Sequence, residues 1–250
     1  MTTHYENLAQ ADAYRDAFGV PPPDAPGERH MWPRKTGWFI QAAAPAASTE
    51  AVAAAEAEAE VVEADGAGSS AAPAAQPGRL LMPAQWGLVP HWVKSASDGK
   101  LRAPKLVTAR SETVSTTHAF RDAWLQGQRC IVPMTAFYED DWRDGKAVPT
   151  RIAPVDGKPL AAAGLWARWT GADGATLLSF TLLTVNANNH ALLRRYGPPG
   201  AERRMPVLLN AGAFDAWLGV RIEKAKDFMR QYPANWLTAN PVEGGGKFRG

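Results

Sequence analysis

Cysteine is nearly absent from these 250 residues. The single thiol, Cys130, excludes an intrachain disulfide framework and any multi-cysteine zinc site. It lies in the apolar run RCIVP, where a buried, inert thiol is expected rather than a nucleophile. No apolar stretch is long enough to cross a bilayer, and the polar start MTTHYENLAQ has no signal-peptide core. A reducing, cytoplasmic setting is therefore expected. There is no glycine-rich phosphate loop and no G-x-S-x-G turn, which leaves nucleotide cofactors and serine-hydrolase chemistry without support. The five histidines are scattered with no i, i+4 pair, so no metal site and no cofactor are expected. Charge of one sign is also scarce. The formal net charge is +2, too small by itself to mark a nucleic-acid surface.

What is present is unevenly distributed. Residues 41–78 are dominated by Ala, Glu, Ser, Gly and Pro and contain no aromatics. Such a segment cannot bury enough apolar surface to offset its ordering entropy, and is read as a disordered insertion in a single domain made of 1–40 and 79–250. The insertion holds Glu50, Glu56, Glu58, Glu60, Glu63 and Asp65, so the remainder is basic, which permits a phosphate-binding surface.

Outside the insertion, short apolar and β-branched runs separated by Gly, Asp and Pro predict strands at 36–40, 79–89, 105–109, 130–138, 150–154, 160–169, 176–185 and 205–209. Apolar spacing predicts helices over 7–18, 119–125, 188–195 and 211–218. Many strands with few helices between them argue against a doubly wound sheet. The expected fold is α+β, with a curved, barrel-like, mainly antiparallel sheet flanked by short helices. No internal repeat is visible.

Three groups of residues carry chemical interest. FYED places Glu139 at the end of an apolar strand, where desolvation would suit general acid/base work; taken alone, a surface glutamate is the commoner explanation. TARSETV offers Arg110 for bidentate phosphate contact, with a structural ion pair through Glu112 equally compatible. RRYGPPGAERRMPVLL gathers Arg194, Arg195, Arg203 and Arg204 around a Gly-Pro turn, a pattern that fits backbone phosphates. Trp86 and Trp92 flank a Gly-Leu-Val-Pro turn and are the candidate stacking surfaces among ten tryptophans.

The ordered set WGLVPHWVK (86–94), TARSETV (108–114) and RCIVPMTAFYE (129–139), followed by AGLW, LLTVNAN and RMPVLL, resembles the SOS response-associated peptidase (SRAP) family, whose members process abasic sites in single-stranded DNA. The resemblance implies a monomer that binds such DNA, without metal or membrane. It also implies a DNA–protein cross-link through residue 2: the family's N-terminal cysteine, freed by loss of the initiator Met, condenses with the ring-opened sugar and closes a thiazolidine. Lyase and self-processing peptidase-type activities are implied by the same route. Here that position is Thr2. The family's asparagine falls at Thr108, its glutamate is kept as Glu139, and its histidine falls in the turn at Gly197. Family DNA contacts match Trp92, Arg110 and Arg204. One of four reactive positions is therefore kept. Because a threonine hydroxyl is a far weaker nucleophile than a thiol, covalent chemistry is expected to be weakened or changed. A degenerate module that binds DNA without chemistry, or a protein-interaction scaffold, are the alternatives.

Overall fold

A computed structural model describes residues 2–25, 27–43, 78–143 and 145–242. Twelve strands are present in these segments: β1 (Tyr5–Glu6), β2 (His30–Met31), β3 (Thr36–Ala42), β4 (Arg79–Trp86), β5 (Thr108–Arg110), β6 (Arg129–Met134), β7 (Ala136–Asp141), β8 (Val148–Pro154), β9 (Leu160–Thr170), β10 (Thr176–Asn186), β11 (Arg204–Pro206) and β12 (Leu237–Pro241). Five short helices accompany them: α1 (Ala11–Phe18), α2 (Ala96–Arg102), α3 (Arg121–Leu125), α4 (Phe214–Gly219) and α5 (Ile222–Ala225).

The larger sheet closes on itself. β10 pairs with β4, β4 with β3, β3 with β6, β6 with β9, and β9 returns to β10. The result is a five-stranded barrel, antiparallel except for β10–β4, with β5 and β11 added along β10. A second, antiparallel sheet runs β12-β8-β7-β1-β2. Buried aromatics from both sheets, including Phe39, Trp86, Phe180, Tyr5 and Phe137, join one hydrophobic cluster. Cys130 belongs to it, and burial pushes its thiol pKa well up, as suits an inert thiol.

Several elements differ from expectation for identifiable reasons. The run 130–138 is two strands, one in each sheet. The break is Thr135, whose N–H donates to Glu6 O and whose hydroxyl donates to Asn7 O, both at 2.9 Å. The first helix begins at Ala11 rather than residue 7, because Asn7 is bound elsewhere: its N–H to Arg29 O and its Nδ2 to Glu28 O. Residues 188–195 form only a 3-10 turn at Leu193–Arg195. His190 Nδ1 accepts the N–H groups of Leu192 and Leu193, so a side chain takes the place of helical carbonyls. The strand expected at 105–109 is displaced to β5, because Ala103–Lys105 turn as a 3-10 helix.

β4 is followed by Gly87, whose φ of 111° and close approach to the Ala103 carbonyl (2.5 Å from where a Cβ would sit) admit no side chain. Gly87→Ala is expected to cost about 2 kcal/mol, within the range for a residue forced into a sparsely populated backbone region. A lowered urea midpoint at unchanged slope would register it.

β3 and β4 remain paired to Ala42↔Arg79. The low-complexity tract thus connects two adjacent antiparallel strands, and its residues 44–77 lie outside the described ones. Among the described residues, no helix is long and apolar enough to cross a membrane, and no group of three or more His, Cys, Asp or Glu side chains could hold a metal ion.

Candidate functional site

β1 is only two residues long, yet its register fixes the amino terminus. Tyr5 lies opposite Phe137 and Glu6 opposite Ala136 on β7. Tyr138 N–H then donates to His4 O at 3.0 Å, so continuing that register carries residues 2 and 3 alongside Glu139 and Asp140. The buried Thr2 hydroxyl donates to Oε1 of buried Glu139 at 2.6 Å.

The segment leading to Thr2 is clamped by groups that sequence reasoning had not singled out. The His4 ring lies between Trp32 and Tyr138, stacked at 4.0 and 3.9 Å between centroids. His4 Nε2 meets His30 Nδ1 at 2.9 Å. Burial, reinforced by His30 and opposed by Glu6, lowers the His4 pKa to about 4, so the imidazole is neutral at physiological pH. Glu6 receives the Tyr138 hydroxyl and two bonds from Arg151 at 3.1 Å. Burial alone would raise the Glu6 pKa, but the Arg151 and Tyr138 hydrogen bonds, with the charges of Arg151 and Arg29, outweigh it and the pKa falls. Glu6 is therefore a fixed anion.

Glu139 behaves oppositely. Burial raises its pKa, while the chain's α-ammonium and the Thr2 hydroxyl pull it down without cancelling the effect. A carboxyl held above its ordinary range and bonded to the Thr2 hydroxyl is suited to proton transfer.

The turn containing Gly197 docks next to this pair. Gly197 N–H donates to Asp140 O at 2.6 Å, and Tyr196 bridges Asp141. Gly197 sits at φ 103° with the Arg203 guanidinium 3.4 Å from where a Cβ would sit. Thr108 is buried on β5, opposite Leu182 of β10.

The arginines divide into two kinds. Arg110, two residues beyond Thr108, has a side chain 52% exposed and pairs with Glu202 at 2.9 Å. Arg204 is only 3% exposed. Its guanidinium is spent on Glu112, Glu202 and Thr184, which leaves no free face for a phosphate. Arg203 staples its own loop by donating to Pro198 O and Ala201 O, while Arg194 and Arg195 are exposed. Trp86 is fully buried, its indole N–H bound to Val107 O, and so is not a stacking surface. Trp92 is half-buried in a separate group, stacked on exposed His118 at 4.6 Å with Arg102 over its ring at 5.4 Å.

The structure thus joins Thr2 with Glu139, sets the Gly197 turn beside them, and ties Arg110 to Arg204 through a shared carboxylate. Against this geometry, a family model described as SOS response associated peptidase (SRAP) matches residues 3–244. The chain belongs to the SRAP family. Among its relatives is the abasic site processing protein YoaM of Bacillus subtilis, 33% identical over 135 residues that make up 54% of each chain. The abasic site processing protein HMCES of Gallus gallus is 27% identical over 185 residues, covering 66% of this chain and 53% of that one. The SRAP chain described here therefore spans about half the length of the curated relatives it matches. A solved structure from Bordetella bronchiseptica superposes with a TM-score of 0.78 at 35% identity, covering 96% of this chain and 99% of that one.

Proposed function

We propose that this SRAP protein recognises abasic sites in single-stranded DNA and engages the lesion through residue 2. The observation that carries the reading is the hydrogen bond from Thr2 to the buried Glu139, whose pKa burial raises. The names of the relatives point to the same lesion. With Met1 removed, the Thr2 α-amine adds to the aldehyde of the ring-opened sugar. The carbinolamine loses water to an imine, with Glu139 delivering the proton that leaves with the hydroxyl. Arg110 offers a half-exposed guanidinium to a backbone phosphate, and Trp92 a partly exposed ring to an unpaired base. Thr108 lies at the inner end of the strand that carries Arg110.

The adduct is expected to be reversible. Attack of the Thr2 hydroxyl on the imine would give an oxazolidine, which hydrolyses far more readily than the ring formed by a thiol. Incubation with single-stranded DNA carrying one abasic site, followed by a denaturing gel, tests this. A shifted band is expected only when borohydride is present. A heat-stable band without reductant would overturn the reversible chemistry, and no band under either condition would overturn the covalent reading.

A further inference from the structure

Arg110, Glu202, Arg204 and Glu112 form a linear chain of alternating charge along the β5, β10 and β11 edge. Arg110 Nη1 lies 2.9 Å from Glu202 Oε2, Arg204 Nη1 lies 2.8 Å from Glu202 Oε1, and Arg204 Nη2 lies 2.8 Å from Glu112 Oε2. An ordinary surface pair leaves both partners free to swing apart. Glu202 is not free: its Oε1 also receives Asn186 Nδ2 at 2.8 Å, and its guanidinium partner Arg204 is buried. One oxygen is thereby locked inward and the other is left facing Arg110.

We infer that Glu202 is a built-in competitor for DNA phosphate at Arg110, and that it suppresses binding to undamaged single strands. The inference rests on the DNA-binding reading above and deepens it. A phosphate approaching Arg110 meets a fixed carboxylate that already occupies the guanidinium and repels the incoming anion. Strands offering only backbone charge gain little from Arg110. A strand whose lesion also reaches the Thr2–Glu139 pair has a second source of binding energy with which to displace Glu202. This is discrimination through a repulsive element rather than an extra attractive one. The loop bearing Glu202 connects the two regions, since its other end is Gly197, bound to Asp140 next to Glu139. The hydrogen bonds from Arg204 and Asn186 hold the Glu202 pKa below its ordinary value, so the competing charge persists at neutral pH.

The test is fluorescence anisotropy of the full chain with an undamaged, mixed-sequence single-stranded oligonucleotide over a range of salt, comparing wild type, Glu202→Gln, Arg110→Ala and the double variant. Glu202→Gln keeps the shape of the side chain and an oxygen for Arg204 and Asn186. It is expected to bind about 3–10-fold more tightly at low salt, with a log K against log salt slope steeper by up to about 0.7, the contribution of one phosphate contact on a single strand. The gain should vanish when Arg110 is alanine. Wild-type affinity in Glu202→Gln, or a gain that persists in the double variant, would overturn the inference while leaving DNA binding intact. If no variant binds DNA at any salt, the DNA-binding reading itself fails and this inference goes with it. Should Glu202→Gln fail to fold by thermal melting, Glu202→Asp, which withdraws the carboxylate from Arg110 by one methylene, is read in the same titration, and an unchanged affinity there overturns the inference.

Discussion

Replacing Glu139 with glutamine is expected to slow formation of the borohydride-trapped adduct by about 10²- to 10⁴-fold, the usual contribution of a positioned acid/base group. The amide preserves the shape of the side chain and can still accept the Thr2 hydroxyl, so the loss would report proton transfer rather than collapse. Stability should move the other way. The folded-state pKa of Glu139 is raised by burial, so folding disfavours the ionised carboxylate. Its contribution is most favourable below the ordinary carboxylate pKa and diminishes as pH rises from there to the folded-state value. At pH 7 the variant should therefore melt at or above the wild-type temperature, and this advantage should vanish as pH falls below the usual carboxylate range. Trapping that proceeds at close to the wild-type rate in Glu139→Gln would remove the carboxyl from the chemistry. A melting temperature below wild type across the whole pH range would contradict the electrostatic account of the site.

The strands were legible where composition alone decides them. Runs such as TLLSFTLLTVN in β10 and LAAAGLWARWT in β9 are rich in apolar and β-branched residues and buried along most of their length, as strands of a closed barrel with both faces covered should be. What composition does not encode is where a strand changes sheet. Residues 130–138 read as one continuous run, and the break at Thr135 comes from bonds to Glu6 and Asn7, more than a hundred residues away. The missing helix at 188–195 has a different cause. Its apolar spacing is adequate, but the His190 side chain captures the amides that a helix would need. At the site, Glu139 was legible because it follows the apolar run AFY, although β7 continues past it to Asp141. His4 and Glu6 were not, since a lone histidine and glutamate near a polar terminus carry no signal until β1 lays them against Trp32, Tyr138 and Arg151. The clustered arginines were misleading in one respect: a list of basic residues does not distinguish a guanidinium that faces solvent from one consumed within the fold.

That distinction makes Arg204 and Arg110 a decisive pair. Arg204→Ala is expected to destabilise the protein by about 3 kcal/mol, the low end of the cost of removing one partner from a buried ion pair. The low end applies because the orphaned carboxylates, Glu112 at 50% and Glu202 at 30% exposure, would be partly rehydrated. The Thr184 hydroxyl would also lose its donor, while Thr184 O would keep the Ser111 N–H. For a chain of this size, the melting temperature should fall by roughly 10 °C. Arg110→Ala removes a half-exposed cation whose pair with Glu202 is worth less than about 1 kcal/mol, so melting should hardly change while affinity for abasic single-stranded DNA declines. If both residues simply touched phosphate from the surface, the two substitutions would weaken DNA binding alike and leave stability alone. Thermal melts and anisotropy on the same two variants separate the cases. An Arg204→Ala protein that melts like wild type yet loses DNA affinity would show that the guanidinium leaves its buried carboxylates to reach the nucleic acid, and the ion chain would then be a resting arrangement rather than a structural one.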